Sequence, residues 1–117
     1  TLENDDVTYT VRDLLPTCAD ISLPLVYDVH HHRCNPDGLG EAEATDLAGA
    51  TWRGREQYCH ISSPREGWQG NPKPHADYID PADFPACWQG RAMTVDVEAK
   101  AKELAVVRLM RDLAPTA

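Results

Sequence analysis

The sequence predicts an α/β protein built as the C-terminal half of a (β/α)8 TIM barrel, with about four successive βα units. Short apolar segments suited to buried strands end near residues 3, 28, 60 and 98. Each of these ends carries a carboxylate or an imidazole, and (β/α)8 barrels place their chemistry at the carboxyl ends of their strands. Because a full barrel usually needs at least ~200 residues, the 117 residues correspond to about half of one.

The elements follow from hydrophobic periodicity and turn residues. They are predicted in this order: a strand tail at residues 1–3, a helix at 11–19 capped by Thr8 or Thr10, a strand at 25–28, a polar loop at 30–40, a helix at 41–50, a strand at 58–61, a Gly- and Pro-rich loop at 65–74, a short helix from Asp80 or Asp83 to Trp88, a strand at 93–97 and a helix at about 99–113. The last helix is expected to bury a broad apolar face made of Leu104, Val106, Val107, Leu109, Met110 and Leu113.

The composition excludes several classes of protein. A net charge of −8 argues against non-specific binding of nucleic acid or membrane surfaces by the whole chain. No apolar run approaches the ~20 residues that span a bilayer, so no membrane partner is expected. The four cysteines lack a CxxC pair, which favours reduced thiols and an intracellular location. The chain begins at Thr1 without an initiator Met, and we expect further residues upstream.

The segment Pro24–Asn35, PLVYDVHHHRCN, joins an apolar strand directly to a carboxylate and three histidines. Asp28 and His31 follow the strand at a spacing that lets both side chains reach one metal ion. His30 and His32 are then orienting or structural neighbours. A polar loop or the remnant of a purification tag is the alternative interpretation of this segment. The position directly after a buried strand favours a metal or catalytic site.

Six residues at or near the strand ends are candidate metal ligands: Glu3, Asp28, His31, His60, His75 and Glu98. Three carboxylates and three imidazoles suit Mn, Zn or Fe better than Ca or Mg. Six ligands exceed the needs of one ion and predict a cluster of two or more metals, which suits phosphodiester hydrolysis. Five of them, all but His75, are also the candidate catalytic residues.

Each candidate ligand also has a structural alternative. Glu3 and Glu98 could be acids at a helix N-terminus, His60 a hydrogen-bonded core histidine, and His75 a solvated loop histidine. The joint placement of such residues at four strand ends favours the metal site over these separate explanations.

The long loop and the last helix carry candidate DNA contacts. Arg65 and Lys73 lie in the loop at 65–74, and Lys100 follows Glu98; each is a candidate for contacting a phosphate or for simple solvation. Trp68 could stack on a base or anchor the loop on the barrel.

Five segments resemble the UV-damage endonuclease family, in the family's order: TLENDD, PLVYDVHHHRCNP, HISSP, HADYI and VDVEAKAKELAVVRLMRDL. The resemblance is to the C-terminal half of these metal-dependent DNA-repair enzymes. It implies an endonuclease IV-like barrel, the same six ligands, and incision of the DNA backbone 5′ to a UV photoproduct. It also implies a manganese cluster, with Zn, Mg or Fe as alternatives. The implied partners are damaged double-stranded DNA and either an N-terminal half-barrel or a second copy of the chain.

The chain departs from the family pattern at two points. Tyr58 stands where the family typically has a lysine beside the metals, and the first four βα units with their further histidine ligands are absent. Two other functions therefore stay open: a sugar isomerase or epimerase of a related barrel type, and an inactive half-barrel remnant that oligomerises through its exposed sheet edges.

Overall fold

Residues 1–115, the part of the chain that the computed structural model describes, form a parallel sheet flanked by helices. The elements are β1 (Leu2–Glu3), α1 (Val11–Ile21), β2 (Leu25–Asp28), α2 (Val29–Cys34), α3 (Glu41–Ala50), β3 (Gln57–Ile61), β4 (Met93–Val97) and α4 (Glu103–Leu113). Two short 3₁₀ helices, Pro81–Asp83 and Ala86–Trp88, replace the single short helix expected before β4.

The four strands pair in chain order, β1-β2-β3-β4, and every pair is parallel. The predicted α/β class with successive βα units is therefore confirmed. The pairing register aligns Asp28 with His60 and His60 with Asp96, so these three side chains share one face and one edge of the sheet. The carboxyl ends of all four strands meet at this edge.

The main core lies between the other face of the sheet and the helices. It contains Tyr27, Cys59 and Ile61 from the strands and Trp88 from the second 3₁₀ helix. Trp88 packs edge-on against Tyr27 at 6.3 Å and donates its Nε1–H to the hydroxyl of Thr45 at 3.0 Å. A buried indole with a satisfied N–H is a strong packing anchor.

The first helix follows its prediction closely. Thr10 caps α1 in a capping box, with its hydroxyl accepting from the backbone N–H of Asp13 while the Asp13 carboxylate accepts from that of Thr10. Val11 and Cys18 are buried and the leucines between them pack against the core. Cys18 and the other three cysteines are free thiols.

The expectation of a polar loop from residue 30 was wrong. Residues 29–34 form α2, which starts directly after β2. Asp28 is its N-cap and accepts the backbone N–H of His31 at 2.9 Å. This hydrogen bond satisfies one of the free N–H groups of the first turn, and it stabilises the start of a helix directly after the strand.

The last helix starts later and buries less than expected. α4 begins at Glu103, because Lys100 and Ala101 donate their backbone N–H groups to Ala76 and Asp77 across the neighbouring loop. Of the six expected apolar residues only Leu109 is buried, while Leu104, Val107 and Met110 are 60%, 63% and 68% exposed. The apolar face is wider than the surface that this sheet offers to it. Among the described residues, every helix falls short of the length and hydrophobicity needed to cross a bilayer.

Candidate metal centre

Four of the six predicted ligands meet at the carboxyl edge of the sheet. One ligand atom from each of Glu3, Asp28, His60 and Glu98 lies within 4.8 Å of the others. Three of these residues belong to strands, and Glu98 extends β4 by donating its backbone N–H to the carbonyl of Ile61 at 2.8 Å. The parallel register therefore produces the cluster, as the spacing of strand ends predicted.

The imidazole of His60 points one nitrogen into the carboxylates. Its Nδ1 lies 3.2 Å from Glu3 Oε2, 3.4 Å from Glu98 Oε1 and 3.9 Å from Asp28 Oδ2. Nδ1 of His60, Oδ2 of Asp28 and Oε1 of Glu98 are buried and have no hydrogen-bond partner. Because buried polar atoms are normally satisfied, three unsatisfied ligand-type atoms facing one point fit a bound divalent cation.

His31 lies beside the same carboxylates and is held by Asn4. Its Nδ1 is 3.3 Å from Asp28 Oδ2, 3.5 Å from Glu3 Oε2 and 2.8 Å from the carbonyl oxygen of Asn4. A hydrogen bond from Nδ1–H to that carbonyl holds the ring beside the cluster, but His31 is not one of the four residues whose ligand atoms meet.

Asn4 is a site residue that the sequence analysis missed. It is 1% exposed, its amide donates to the carbonyl of Asp28, and its Oδ1 accepts the backbone N–H of Asp28, both at 2.9 Å. These bonds join the ends of β1 and β2 and fix the spacing of Glu3 and Asp28. The sequence offered one signal for this role, an asparagine directly after a candidate ligand.

His75 stands apart from the close cluster. It lines a cleft together with Glu98 and Lys100, and its ring packs edge-on against that of His30 at 5.6 Å. Its ligand role stays a prediction.

The comparisons with known proteins identify the family. The family profile described as UV-endonuclease UvdE matches residues 1–117. The chain belongs to this family. It is 36% identical to a UV DNA damage endonuclease of Bacillus velezensis, over 97% of the chain and 37% of that protein. It is 39% identical to a UV DNA damage endonuclease of Deinococcus radiodurans, over 93% of the chain and 37% of that protein.

A solved structure supports the same assignment. The crystal structure of SacUVDE superposes with a TM-score of 0.79 at 25% identity, over 95% of this chain and 39% of that one. The predicted resemblance and the partial TIM-barrel fold are thus confirmed. The chain spans little more than a third of these UvdE-family relatives, and 19% of a UV-damage endonuclease of Schizosaccharomyces pombe.

Tyr58 stands at the position where a lysine was expected. It lies on the same face of β3 as His60. Its ring stacks on the ring of Trp52, with centroids 5.3 Å apart and planes 15° apart. The guanidinium of Arg55 lies 5.9 Å from the centroid of the Trp52 ring. Tyr58 is 43% exposed. Its contacts are therefore those of a packing residue on the face of the sheet that carries His60.

The other two histidines of α2 have structural surroundings. His32 joins Tyr27 and Asp37: its Nδ1 shares a hydrogen bond with the Tyr27 hydroxyl, and its Nε2 lies 3.0 Å from Asp37 Oδ1. His30 is fully buried under Trp68, with ring centroids 5.3 Å apart. These contacts fit the expected supporting role.

The loop at 65–74 is anchored by Trp68. The indole packs on His30 and donates its N–H to Asp83 Oδ1 at 3.0 Å, and Arg33 lies 5.9 Å from the ring centroid. An isolated antiparallel bridge between Pro64 and His75 closes the loop. Anchoring is therefore the role that the contacts of Trp68 describe, and it places Arg65 and Lys73 on a loop next to α2.

The contacts within the cluster shift the pKa values of its four residues. Burial raises the pKa of Asp28 to about 7. The carboxylates of Glu3 and Glu98, which face the ring, raise the pKa of His60 to about 10. The neighbouring His60 lowers the pKa of Glu98, and it also lowers the pKa of Glu3 by outweighing the opposite effect of burial. The carboxylates that would hold a cation therefore also favour the protonated form of His60.

If the cluster binds a divalent cation, its affinity should rise with pH, because the cation must displace the protons held by His60 and Asp28. Both pKa values are raised on folding, from 6.5 and 3.8 to about 10 and 7. These protons therefore stabilise the metal-free folded chain. The stabilisation is fully present below each group's pKa in the unfolded chain, and it is lost as pH rises through the pKa in the folded chain. We expect release of up to about two protons per site between about pH 6 and 9, measured by calorimetry in buffers of different ionisation enthalpy. Affinity independent of pH would contradict this.

Proposed function

We propose that this chain is part of a metal-dependent DNA-repair endonuclease that incises the phosphodiester backbone 5′ to UV photoproducts inside the cell. The observation that carries the proposal is the cluster of Glu3, Asp28, His60 and Glu98 in a chain of the UvdE family. The names of the relatives, UV DNA damage endonuclease and UV-damage endonuclease, supply the substrate class.

The four clustered residues would hold the metal, with His31 and His75 as the proposed fifth and sixth ligands. Manganese is the first candidate, followed by Zn, Mg and Fe, because a mixed set of carboxylates and imidazoles suits transition metals. Held by these residues, the metals would supply an activated water for attack on the phosphodiester and charge stabilisation for the attacking and leaving oxygens. Asn4 keeps Glu3 and Asp28 in position for this role.

DNA would lie across the carboxyl edge of the sheet. Lys100 lines the cleft that contains Glu98 and His75, which places a cation beside the proposed metal site. Arg65 and Lys73, on the anchored loop, are proposed as further phosphate contacts. With a net charge of −8, three such cations are a weak electrostatic footprint for DNA, so we assign most of the DNA-binding surface to another half-barrel.

The exposed apolar surface fits such a second half-barrel. A cleft of about 840 Å³ runs beside β4 and is lined by Val95, Val97 and Val106 among others. Strand β4 is an edge strand, and edge strands offer unpaired backbone groups to another strand. The occupant that we propose is an N-terminal half-barrel, and a second copy of the chain is the alternative.

Strand incision tests the proposal. The chain is incubated with Mn²⁺ and a UV-irradiated duplex, with and without a polypeptide comprising the rest of a UvdE relative. We expect incision 5′ to the photoproduct only in the reconstituted sample, and no cutting of the unirradiated duplex. Gel filtration checks that the two polypeptides associate. Intact damaged DNA after association and metal loading would refute the nuclease assignment, and incision by the chain alone would refute the need for a second half-barrel.

A further inference from the structure

Asp96 contacts the ring of His60 on the side opposite to the metal cluster. The two residues are direct partners in the β3–β4 pairing, so their side chains point to the same face of the sheet. Asp96 Oδ2 lies 3.2 Å from His60 Nε2, and the Asp96 side chain is 58% exposed. Asp96 is not one of the four residues whose ligand atoms cluster.

The two nitrogens of His60 have different surroundings. Nδ1 faces Glu3, Glu98 and Asp28, and a metal bound among these carboxylates would take this nitrogen. The ring proton must then be on Nε2, which faces Asp96. A histidine that binds a metal almost always donates its other ring N–H to a carboxylate, carbonyl or water, which fixes its tautomer and orientation.

We propose that Asp96 is a positioning residue that accepts the Nε2–H of His60 and holds Nδ1 toward the metal. The inference rests on the metal site of the proposed function. Asp96 acts through His60 and does not itself bind the metal, since its carboxylate lies at the far edge of the ring. Because the pair is partly exposed, the expected effect is at the lower end of the range for such partners, about 10-fold in metal affinity.

The test compares Asp96→Ala and Asp96→Asn with Asp20→Ala. Asp20 is an exposed carboxylate on α1, so its replacement changes the net charge equally without touching the site. Mn²⁺ alone is titrated into each chain. We expect Asp96→Ala to bind about 10-fold more weakly, Asp96→Asn to lose less because its amide oxygen still accepts Nε2–H, and Asp20→Ala to bind as the original chain does.

Nuclear magnetic resonance supplies a readout that a purely structural role would not move. In the Zn²⁺-loaded chain, the Nε2–H proton of His60 should be shifted downfield and protected from exchange. This signal should persist in Asp96→Asn and be lost in Asp96→Ala.

Two results would overturn the positioning role alone: unchanged Mn²⁺ affinity and a retained Nε2–H signal in Asp96→Ala, or equal losses in Asp96→Ala and Asp96→Asn. The second result would mean that the charge of Asp96 matters, as for a ligand. Absence of Mn²⁺ binding by the original chain would overturn the metal site of the proposed function, and the positioning role with it.

Discussion

Replacing Asp28 by Asn is expected to weaken Mn²⁺ binding by at least about 100-fold. Even partners that only support a metal ligand are worth about 10–100-fold in affinity, and Asp28 is itself proposed as a ligand. It is completely buried, and its Oδ2 faces the cluster without a hydrogen-bond partner. The amide of Asn has nearly the same size but carries no charge to offset the cation.

The substitution should leave the fold intact. Oδ1 of Asp28 accepts the backbone N–H of His31 and caps α2, and the amide oxygen of Asn also serves as an N-cap acceptor. In the metal-free chain the variant should be at least as stable as the original at pH 8. Burial raises the pKa of the Asp28 carboxyl to about 7, so its ionised form lowers stability above that pH.

Calorimetric titration with Mn²⁺ and thermal unfolding without metal check the two expectations separately. The matched control is Asp13→Asn, because Asp13 is also a helix-capping carboxylate, at the exposed start of α1. It should bind Mn²⁺ as the original chain does. Original-level affinity in Asp28→Asn would show that Asp28 is not a ligand. An unfolded Asp28→Asn chain would show that the cap needs the charge.

The strand ends were predictable because they depend on local pattern. An apolar run followed by a carboxylate or an imidazole identified Glu3, Asp28, His60 and Glu98, and the parallel sheet then brings such ends to one edge. The structure places these four together. Local sequence was sufficient here because strand order follows chain order.

Features that depend on contacts between distant segments were not predictable. The role of Asn4 depends on two hydrogen bonds to Asp28, 24 residues away. Asp96 becomes notable only once the β3–β4 register places it opposite His60. Neither residue type has a periodicity that would signal such a contact.

The prediction that α4 buries a broad apolar face was wrong for a different reason. Its apolar pattern correctly described a helix with a wide apolar face, yet most of that face is exposed beside the edge strand β4. Hydrophobic periodicity indicates which residues form the apolar face of a helix, but it does not tell how much of that face the rest of the chain covers. The exposed residues of α4 agree with a chain that spans little more than a third of its relatives.

Replacing Trp88 by Ala is expected to destabilise the chain by about 3–5 kcal/mol, the usual cost of removing a buried tryptophan. Trp88 is 2% exposed and packs edge-on against Tyr27 and Phe84. Its loss also leaves the hydroxyl of Thr45 without its indole donor. Domains of this size are stable by only about 5–15 kcal/mol. Since one face of the sheet carries the polar cluster, the core around Trp88 must supply much of that stability.

Trp68→Ala is the matched control, because the same side chain is removed from a position that is 41% exposed. Urea unfolding should show a lower midpoint with an unchanged slope for Trp88→Ala, and a much smaller change for Trp68→Ala. Saturating Mn²⁺ should raise the midpoint of the original chain and of Trp68→Ala, since a ligand that binds only the folded state stabilises it. Equal destabilisation by the two substitutions would contradict a core centred on Trp88. If Mn²⁺ also raised the urea midpoint of Asp28→Asn, the stabilisation by Mn²⁺ would not come from binding at the proposed metal site.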